Sequence, residues 1–477
     1  MSDWRVISSI LLLLAEAATI VRALLRPHRE PASRLAWIIA ILALPLVGIL
    51  LYLLFGETRI SGPRRDRARD VSGRLPRPPG NYECGHQHAS SAHWAPFALA
   101  RTVNHLEPTC GNSARLAKDA NAAIDEMVAD IDAATGTAHG SFYIWLDDNN
   151  GLKLKNAFIR AAKRGVSVRI LADALGSRRL IRSAHWDDLK RAGCDVRVAL
   201  PVGNPLWTLI RGRVDLRNHR KSLVVDNRIA WCGSQNAADP EFRIKPRYAP
   251  WVDIMSRWEG PVAGHCQFLF AADWIAEGGD DISALASQQP GAAPGTIVAQ
   301  AIGTGPNAEF DAMPACFAEL IHSAREELII TTPYFIPDEQ LLFALTSAGR
   351  RRVRTLLLLP KRNDNWIVAA ASRSYYKDLI DAGVELYEYR CGLLHAKTMV
   401  VDGRVGLIGS ANLDRRSFEL NFENNILFED TDFAHLVRSR QNEYLADCDP
   451  VTREQVEKYG VALRLWQNLL ATLSPVL

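Results

Sequence analysis

Two long apolar stretches open the chain. From Ala36 to Phe55, AWIIAILALPLVGILLYLLF carries no charge over 20 residues. At 1.5 Å per residue, such a helix matches the ~30 Å hydrocarbon core of a bilayer. Trp37 and Tyr52 stand near its ends, where aromatic rings favour the interface, and Pro45 and Gly48 lie inside it, as membrane helices tolerate. Val6 to Leu25 is also apolar but holds Glu16 and Arg22. A signal peptide would use Arg5, the core Ile10–Leu14 and the small-residue site Ala15-Glu-Ala17. That core is short and a second apolar run follows at once, so the pattern predicts a transmembrane helical hairpin over residues 1–57.

Residues 58–110 lack periodicity and include RLPRPPG (Arg74–Gly80), a basic Pro-rich linker. Beyond it the pattern turns α/β. Residues 113–134 have helical spacing, Ser141–Leu146 reads as a strand, Leu152–Arg164 as a helix and Val166–Ala172 as a strand. The order returns with a helix at Ala312–Ala324, a strand at Glu327–Phe335, a helix at Asp338–Arg350 and a strand at Val353–Leu359. Arg191-Ala192-Gly193 precedes CDVRVAL as Asp381-Ala382-Gly383 precedes VELYEY. This is an internal duplication, with expected domains at 111–290 and 291–477. A site shared by two such halves is expected at their interface.

Composition narrows the function class. Over 477 residues the chain is 48% hydrophobic and carries a net charge of +3, which excludes both a disordered chain and a polybasic nucleic-acid coat. The eight cysteines are scattered without a Cys-x-x-Cys pair, which argues against a structural zinc site or a dense disulfide framework. Cys84, His86 and His88 form one local cluster, read as a polar loop rather than a metal site. Charge is segregated: Arg22, Arg26, Arg29 and Arg34 lie between the apolar runs, and Arg59, Arg64, Arg65, Arg67, Arg69, Arg74 and Arg77 follow them. That bias favours a cytoplasmic location for the bulk of the chain.

The duplication is sharpest at two histidines. N-H-R-K-S-L-V-V-D contains His219, Lys221 and Asp226; L-H-A-K-T-M-V-V-D contains His395, Lys397 and Asp402. Each continues, at the same offset, to Gly-Ser-x-Asn: Gly233, Ser234 and Asn236, then Gly409, Ser410 and Asn412. The apolar, β-branched runs place each motif at the start of a buried strand, so His and Lys two positions apart share one face. Facing copies then surround one pocket with two imidazoles, two ammonium groups and two amides. Lysine repels a metal cation, and the set suits a phosphodiester. Lys and Asn, with Ser234 and Ser410, would hold its oxygens, one imidazole would attack phosphorus and the other would protonate the leaving oxygen.

The paired H-x-K-x4-D motif resembles the phospholipase D superfamily over residues 111–477. Thr332-Pro-Tyr-Phe-Ile-Pro-Asp338, Arg217-Asn-His-Arg-Lys221, Leu413-Asp-Arg-Arg-Ser-Phe-Glu-Leu-Asn-Phe-Glu423 and the amino-terminal RLAWIIAILALPLVGILLYLLFGE are similar to its bacterial cardiolipin synthase branch. Ser234 and the loop from Ala237 to Tyr248 depart from that branch's pattern. The resemblance implies an α/β fold of two phospholipase D-like domains, each a mixed β-sheet flanked by helices. It implies a covalent phosphatidyl-histidine intermediate with no cofactor and no metal. It assigns His219 as nucleophile and His395 as general acid and base, although the near-symmetric copies leave the roles exchangeable. It also implies carboxylates that orient the imidazoles. Asp253 lies 34 positions after His219 and Glu423 lies 28 after His395; these are preferred to Asp226 and Asp402, which are expected to tie down loops.

The implied activity is cardiolipin synthesis from two phosphatidylglycerols by a multi-pass protein of the bacterial inner membrane. Its partners would be membrane phospholipids and the bilayer, with no nucleic acid. The alternatives are a hydrolytic phospholipase D, transfer to another alcohol, a nuclease, and a non-catalytic lipid-binding membrane protein. An insertion at Pro201–Val214 either dips into the interface or packs on its domain. The amphipathic carboxyl-terminal LRLWQNLLATLSPVL is expected to pack on the core.

Overall fold

The structure, a computed structural model, describes residues 2–26, 31–57, 66–67, 70–71, 73–78, 93–201, 215–288, 294–306 and 311–472. The Cys84–His88 cluster and most of the 201–214 insertion lie outside them.

The amino-terminal helices differ from the expected pair of spans. α1 (Ser2–Leu24) is, among the described residues, the one helix long and apolar enough to cross a bilayer. The second apolar run is two helices, α2 (Pro31–Ala43) and α3 (Pro45–Phe55). Proline has no N–H and its ring excludes a continuing helix, and Leu44 leaves helical geometry at φ −138°, ψ 74°. The chain doubles back there. The rings of Trp37 and Tyr52 lie 5.4 Å apart, whereas 15 residues of straight helix would separate them by about 22 Å. Glycine at position 48 makes the turn possible: a Cβ there would lie 2.4 Å from the Ala40 carbonyl oxygen. The open end is closed by polar contacts. Arg22 donates twice to Glu57 (2.6 and 3.0 Å), the Tyr52 hydroxyl donates to Glu57 (3.1 Å), and Arg26 donates to the Gly56 carbonyl (2.8 Å).

The expected linker is not featureless to its end. Helix Trp94–Asn104 buries Phe97 and Ala100 in the core of the second half, and Asn104 exchanges hydrogen bonds with the Gly303 backbone. Cys110 is disulfide-bonded, while Cys194, Cys232, Cys266, Cys316, Cys391 and Cys448 are free.

The first half contributes β1 (Thr109–Leu116), β2 (Thr137–Phe142), β3 (Ser167–Asp173), β4 (Asp195–Ala199), β5 (Arg217–Asn218), β6 (Lys221–Val225), β7 (Ile229–Gly233), β8 (Trp251–Val252) and β9 (Met255–Glu259). The second contributes β10 (Ile297–Thr304), β11 (Glu327–Thr331), β12 (Phe335–Ile336), β13 (Arg354–Pro360), β14 (Glu385–Tyr389), β15 (Leu393–Leu394), β16 (Thr398–Val401), β17 (Val405–Gly409), β18 (Leu413–Asp414), β19 (Asn421–Glu429) and β20 (Cys448–Pro450). Residues 113–116, expected to be helical, are part of β1, and the helix starts at Ala120.

Among the described residues, sixteen strands make one mixed sheet. β2, β3 and β4 run parallel, as do β11, β13 and β14, while β6, β7, β9 and β1 continue antiparallel in one half, as β16, β17, β19 and β10 do in the other. The halves join through the antiparallel pair β1–β10. On one face a single apolar core runs under helix Val262–Ala276 and into the second half at Phe428 and Phe433; on the other, each half has its own core. The sheet is therefore continuous while the paired histidine motifs stay duplicated.

The carboxyl-terminal helix Val461–Thr472 does not follow expectation either. Gln467 and Leu470 are its buried residues, and Leu465, Trp466 and Leu469 face outward.

Candidate active site

Each motif histidine is held by the opposite half. β5 pairs in parallel with the start of β19, Asn218 opposite Phe422, and the His219 N–H donates to the Phe422 carbonyl at 2.9 Å. β15 pairs in parallel with β8, Leu394 opposite Val252, and the His395 N–H donates to the Val252 carbonyl at 2.8 Å. One residue further along each register, an imidazole meets a carboxylate. His219 Nδ1 lies 2.9 Å from both Glu423 oxygens, and His395 Nδ1 lies 2.6 Å from Asp253 Oδ1. The two predicted carboxylates are at the site, but their pairing is crossed relative to the sequence offsets.

Ser234 and Ser410 are placed differently from expectation. The Ser234 hydroxyl donates to Asp253 (2.6 Å) and accepts from the Ile254 N–H (3.0 Å). The Ser410 hydroxyl donates to Glu423 and accepts from the Asn424 N–H (2.9 Å). Both hydroxyls are committed to holding carboxylates and do not serve as phosphate ligands. The departure at Ser234 thus supplies the first half with the same carboxylate clamp as the second.

Asp226 and Asp402 sit at the far ends of their strands, away from the imidazoles. Asp226 accepts from the N–H groups of Thr135, Gly136 and Thr137 (2.7–2.9 Å), and Asp402 from those of Arg325, Glu326 and Glu327. They cap the loops that enter β2 and β11. The third motif residue thus braces a loop and takes no part among the groups at the cavity, because a carboxylate engaged by successive backbone donors has no lone pair aimed at substrate.

His219 and His395 line one cavity of about 470 Å³ together with Asn236 and Asn412. The Asn236 Oδ1 accepts from the Ile144 N–H (3.1 Å), which leaves its NH₂ group for a ligand. Lys221 and Lys397 are buried beneath the histidines, each donating to the carbonyl of its own motif histidine (2.6 and 2.7 Å). Three side chains invisible to the motif search complete the walls. Tyr143 packs edge-on against His219 (5.0 Å), Trp251 lies tilted against His395 (4.6 Å), and Phe242 stacks on Trp251 (3.8 Å). Trp251 lies two residues before Asp253, as Asn421 does before Glu423, so the strand period was the signal available for this position. Lys245, in the atypical loop, reaches across the halves to Asp364 (2.6 Å), which also accepts from the Tyr334 hydroxyl (2.6 Å).

Burial dominates the electrostatics. It pushes His219 down to about 3 and His395 to about 4, against the pull of Glu423 and Asp253. It lowers Lys221 to about 7 and Lys397 well below its ordinary range. At neutral pH both imidazoles are neutral: with each Nδ1–H donated to its carboxylate, each Nε2 keeps a lone pair. The two lysines are costly to charge while the cavity is empty, and a bound anion favours their ammonium forms.

Comparison with known proteins follows the same lines. The family model described as "Cardiolipin synthase, PLD-like domain" matches residues 127–247 and 317–444, and "Phospholipase_D-nuclease N-terminal" matches residues 17–57. Proteins named "Cardiolipin synthase A" from Yersinia pseudotuberculosis and Yersinia pestis are 33% identical over 468 residues, covering 96% of this chain and 96% of theirs. The solved phosphatidylserine synthase of Haemophilus influenzae Rd KW20 is 14% identical with a TM-score of 0.56, covers 76% of this chain and 92% of its own, and shares the fold.

Proposed function

The chain belongs to the cardiolipin synthase family of phospholipase D-like proteins, and from that membership and the site's geometry we propose that it joins two phosphatidylglycerols into cardiolipin and glycerol. The observation that carries this reading is the pair of imidazoles on one cavity, each oriented by a buried carboxylate. The negative charge of a bound phosphodiester favours the imidazolium form of His395. His219 Nε2 attacks phosphorus, the phosphorus–oxygen bond to glycerol breaks, and His395 gives its proton to the departing oxygen. Lys221, Lys397, Asn236 and Asn412 hold the non-bridging oxygens as charge builds on them. A phosphatidyl-His219 adduct remains. His395 then takes a proton from the hydroxyl of a second phosphatidylglycerol, that oxygen bonds to phosphorus, and the phosphorus–nitrogen bond breaks.

Purified protein incubated with labelled phosphatidylglycerol, with and without phosphatidylethanolamine, is expected to yield cardiolipin by lipid mass spectrometry. Phosphatidic acid as the main product would replace transfer by hydrolysis. A product that requires phosphatidylethanolamine would change the acceptor.

The doubled-back α2–α3 pair supports a sidedness. With α1 crossing alone, Arg22, Arg26 and Arg34 fall at the same level as Glu57, on the side where the chain continues into the catalytic halves. Arg22, Arg26 and Arg34 are then on the same side as the described Arg67, Arg74 and Arg77, which the positive-inside bias makes cytoplasmic. An epitope at residue 2 is expected to be reachable from outside in spheroplasts while a carboxyl-terminal tag is not. Protection of both ends would restore a two-span anchor. The Cys110 disulfide runs against this sidedness, since cytoplasmic thiols are held reduced; Cys110 found reduced in acid-quenched cells would support it, and Cys110 found bonded would place the catalytic halves on the opposite side.

A further inference from the structure

The reaction proposed above needs two lipids to reach a cavity, and the cavity wall continues into an unusual piece of surface. Asn365 and Val368, on the segment that starts helix Trp366–Ser374, line the cavity. Val368 packs with Ile336, itself a cavity residue, and with Leu470 of helix Val461–Thr472. The inner face of helix Trp366–Ser374 is thus part of the wall of the catalytic chamber, and helix Val461–Thr472 packs against that helix. Their outer faces are open: Trp366 is 60% exposed, Trp466 44%, Leu465 65% and Leu469 54%. The two indoles stack on each other, centroids 6.0 Å apart and planes within 2°.

A stacked, exposed tryptophan pair flanked by leucines is costly in water and favourable at the boundary between headgroups and acyl chains. The rest of the cavity's edge agrees in chemistry. Leu175 and Ile244 are exposed there, and Arg178 and Arg179 line the same cavity with no ion pair or side-chain hydrogen bond among the described residues. Lys245 and Arg217, by contrast, are matched by Asp364 and Asp173. Apolar groups with unpaired guanidinium groups beside them complement an anionic leaflet, with acyl chains against the indoles and phosphates against the arginines.

We propose that the outer faces of helices Trp366–Ser374 and Val461–Thr472 are a second membrane contact, separate from α1–α3. They seat in one leaflet and hold the mouth of the cavity at headgroup level, so that both lipids enter without leaving the bilayer. The inference rests on the substrate being a bilayer lipid.

The test uses the full chain in vesicles of phosphatidylglycerol, comparing wild type with the double variant Trp366→Ala/Trp466→Ala. Cardiolipin formation from vesicles is expected to fall about tenfold, while turnover of monomeric short-chain phosphatidylglycerol stays within about twofold. In a Trp366→Phe/Trp466→Phe variant, the part of the tryptophan fluorescence quenched by brominated lipids is expected to shrink relative to wild type. Equal loss on vesicles and monomers would make the pair a folding element and overturn the proposal, as would unchanged vesicle activity with unchanged quenching. Self-association of the wild type that the double variant loses would assign the patch to a second copy and also overturn it. A wild type that makes no cardiolipin refutes the functional reading alone, because the quenching comparison needs no turnover.

Discussion

Alanine at His219 is expected to reduce cardiolipin formation by at least about 10⁴-fold, because the reaction then lacks the atom to which phosphorus is transferred. Alanine at His395 should cost a similar factor with the natural lipid, so overall loss does not separate the two roles. A donor with an activated leaving group does. Nitrophenolate departs without a proton, so the His395→Ala variant should still release one equivalent of it in a burst and then stall, the phosphatidyl group remaining on the protein. The His219→Ala variant should show no burst. Mass spectrometry of the stalled His395→Ala protein is expected to place the added mass on the peptide containing His219. An adduct found instead on His395 in the His219→Ala variant would exchange the two roles, and no adduct in either variant would remove the covalent step. Burial holds both imidazoles neutral far below neutral pH, so the one that attacks has its Nε2 lone pair available without prior deprotonation, and the burst rather than the resting charge separates the roles.

The duplicated halves were legible in the sequence because apolar runs such as SLVVD and TMVVD are buried strands and their pattern survives duplication, whereas both histidines lie just ahead of these strands, where strand period does not set their direction. The anchor was half legible. Hydropathy along Ala36–Phe55 is the same whether the run continues straight or reverses at Leu44-Pro45; what decides is the contact of Gly48 with Ala40, which needs both helices in place. The serines were misread for a related reason. A Gly-Ser-x-Asn turn beside a motif lysine looks like an anion site, but both hydroxyls donate to carboxylates, Asp253 just after β8 and Glu423 in β19. Helix Val461–Thr472 has the spacing of a core helix, and nothing in its sequence shows how little of the core it would meet.

The crossed carboxylates were the least legible feature and make the sharpest demand on function. Counting within each half links Asp253 to His219 and Glu423 to His395; the parallel registers β5–β19 and β15–β8 link them the other way. The two pairings differ in outcome. In the crossed arrangement Glu423→Gln removes the acceptor that fixes the Nδ1–H tautomer of His219, whereas Asp253→Asn disturbs the proton carrier His395. Removing a buried orienting carboxylate while keeping its shape costs on the order of 10²–10⁴-fold in rate. With the activated donor, the burst is expected to slow by about 10³-fold in Glu423→Gln and to survive nearly intact in Asp253→Asn. With phosphatidylglycerol both variants should be impaired, since His395 must give and take a proton in each turnover. A burst that is lost in Asp253→Asn and retained in Glu423→Gln would return each carboxylate to its own half. Under the crossed arrangement neither half holds a complete imidazole–carboxylate pair, so the catalytic unit is the joined sheet rather than either repeat. That dependence gives the short pairs β5–β19 and β15–β8 a role in the chemistry: they set the register on which both His–carboxylate distances rest.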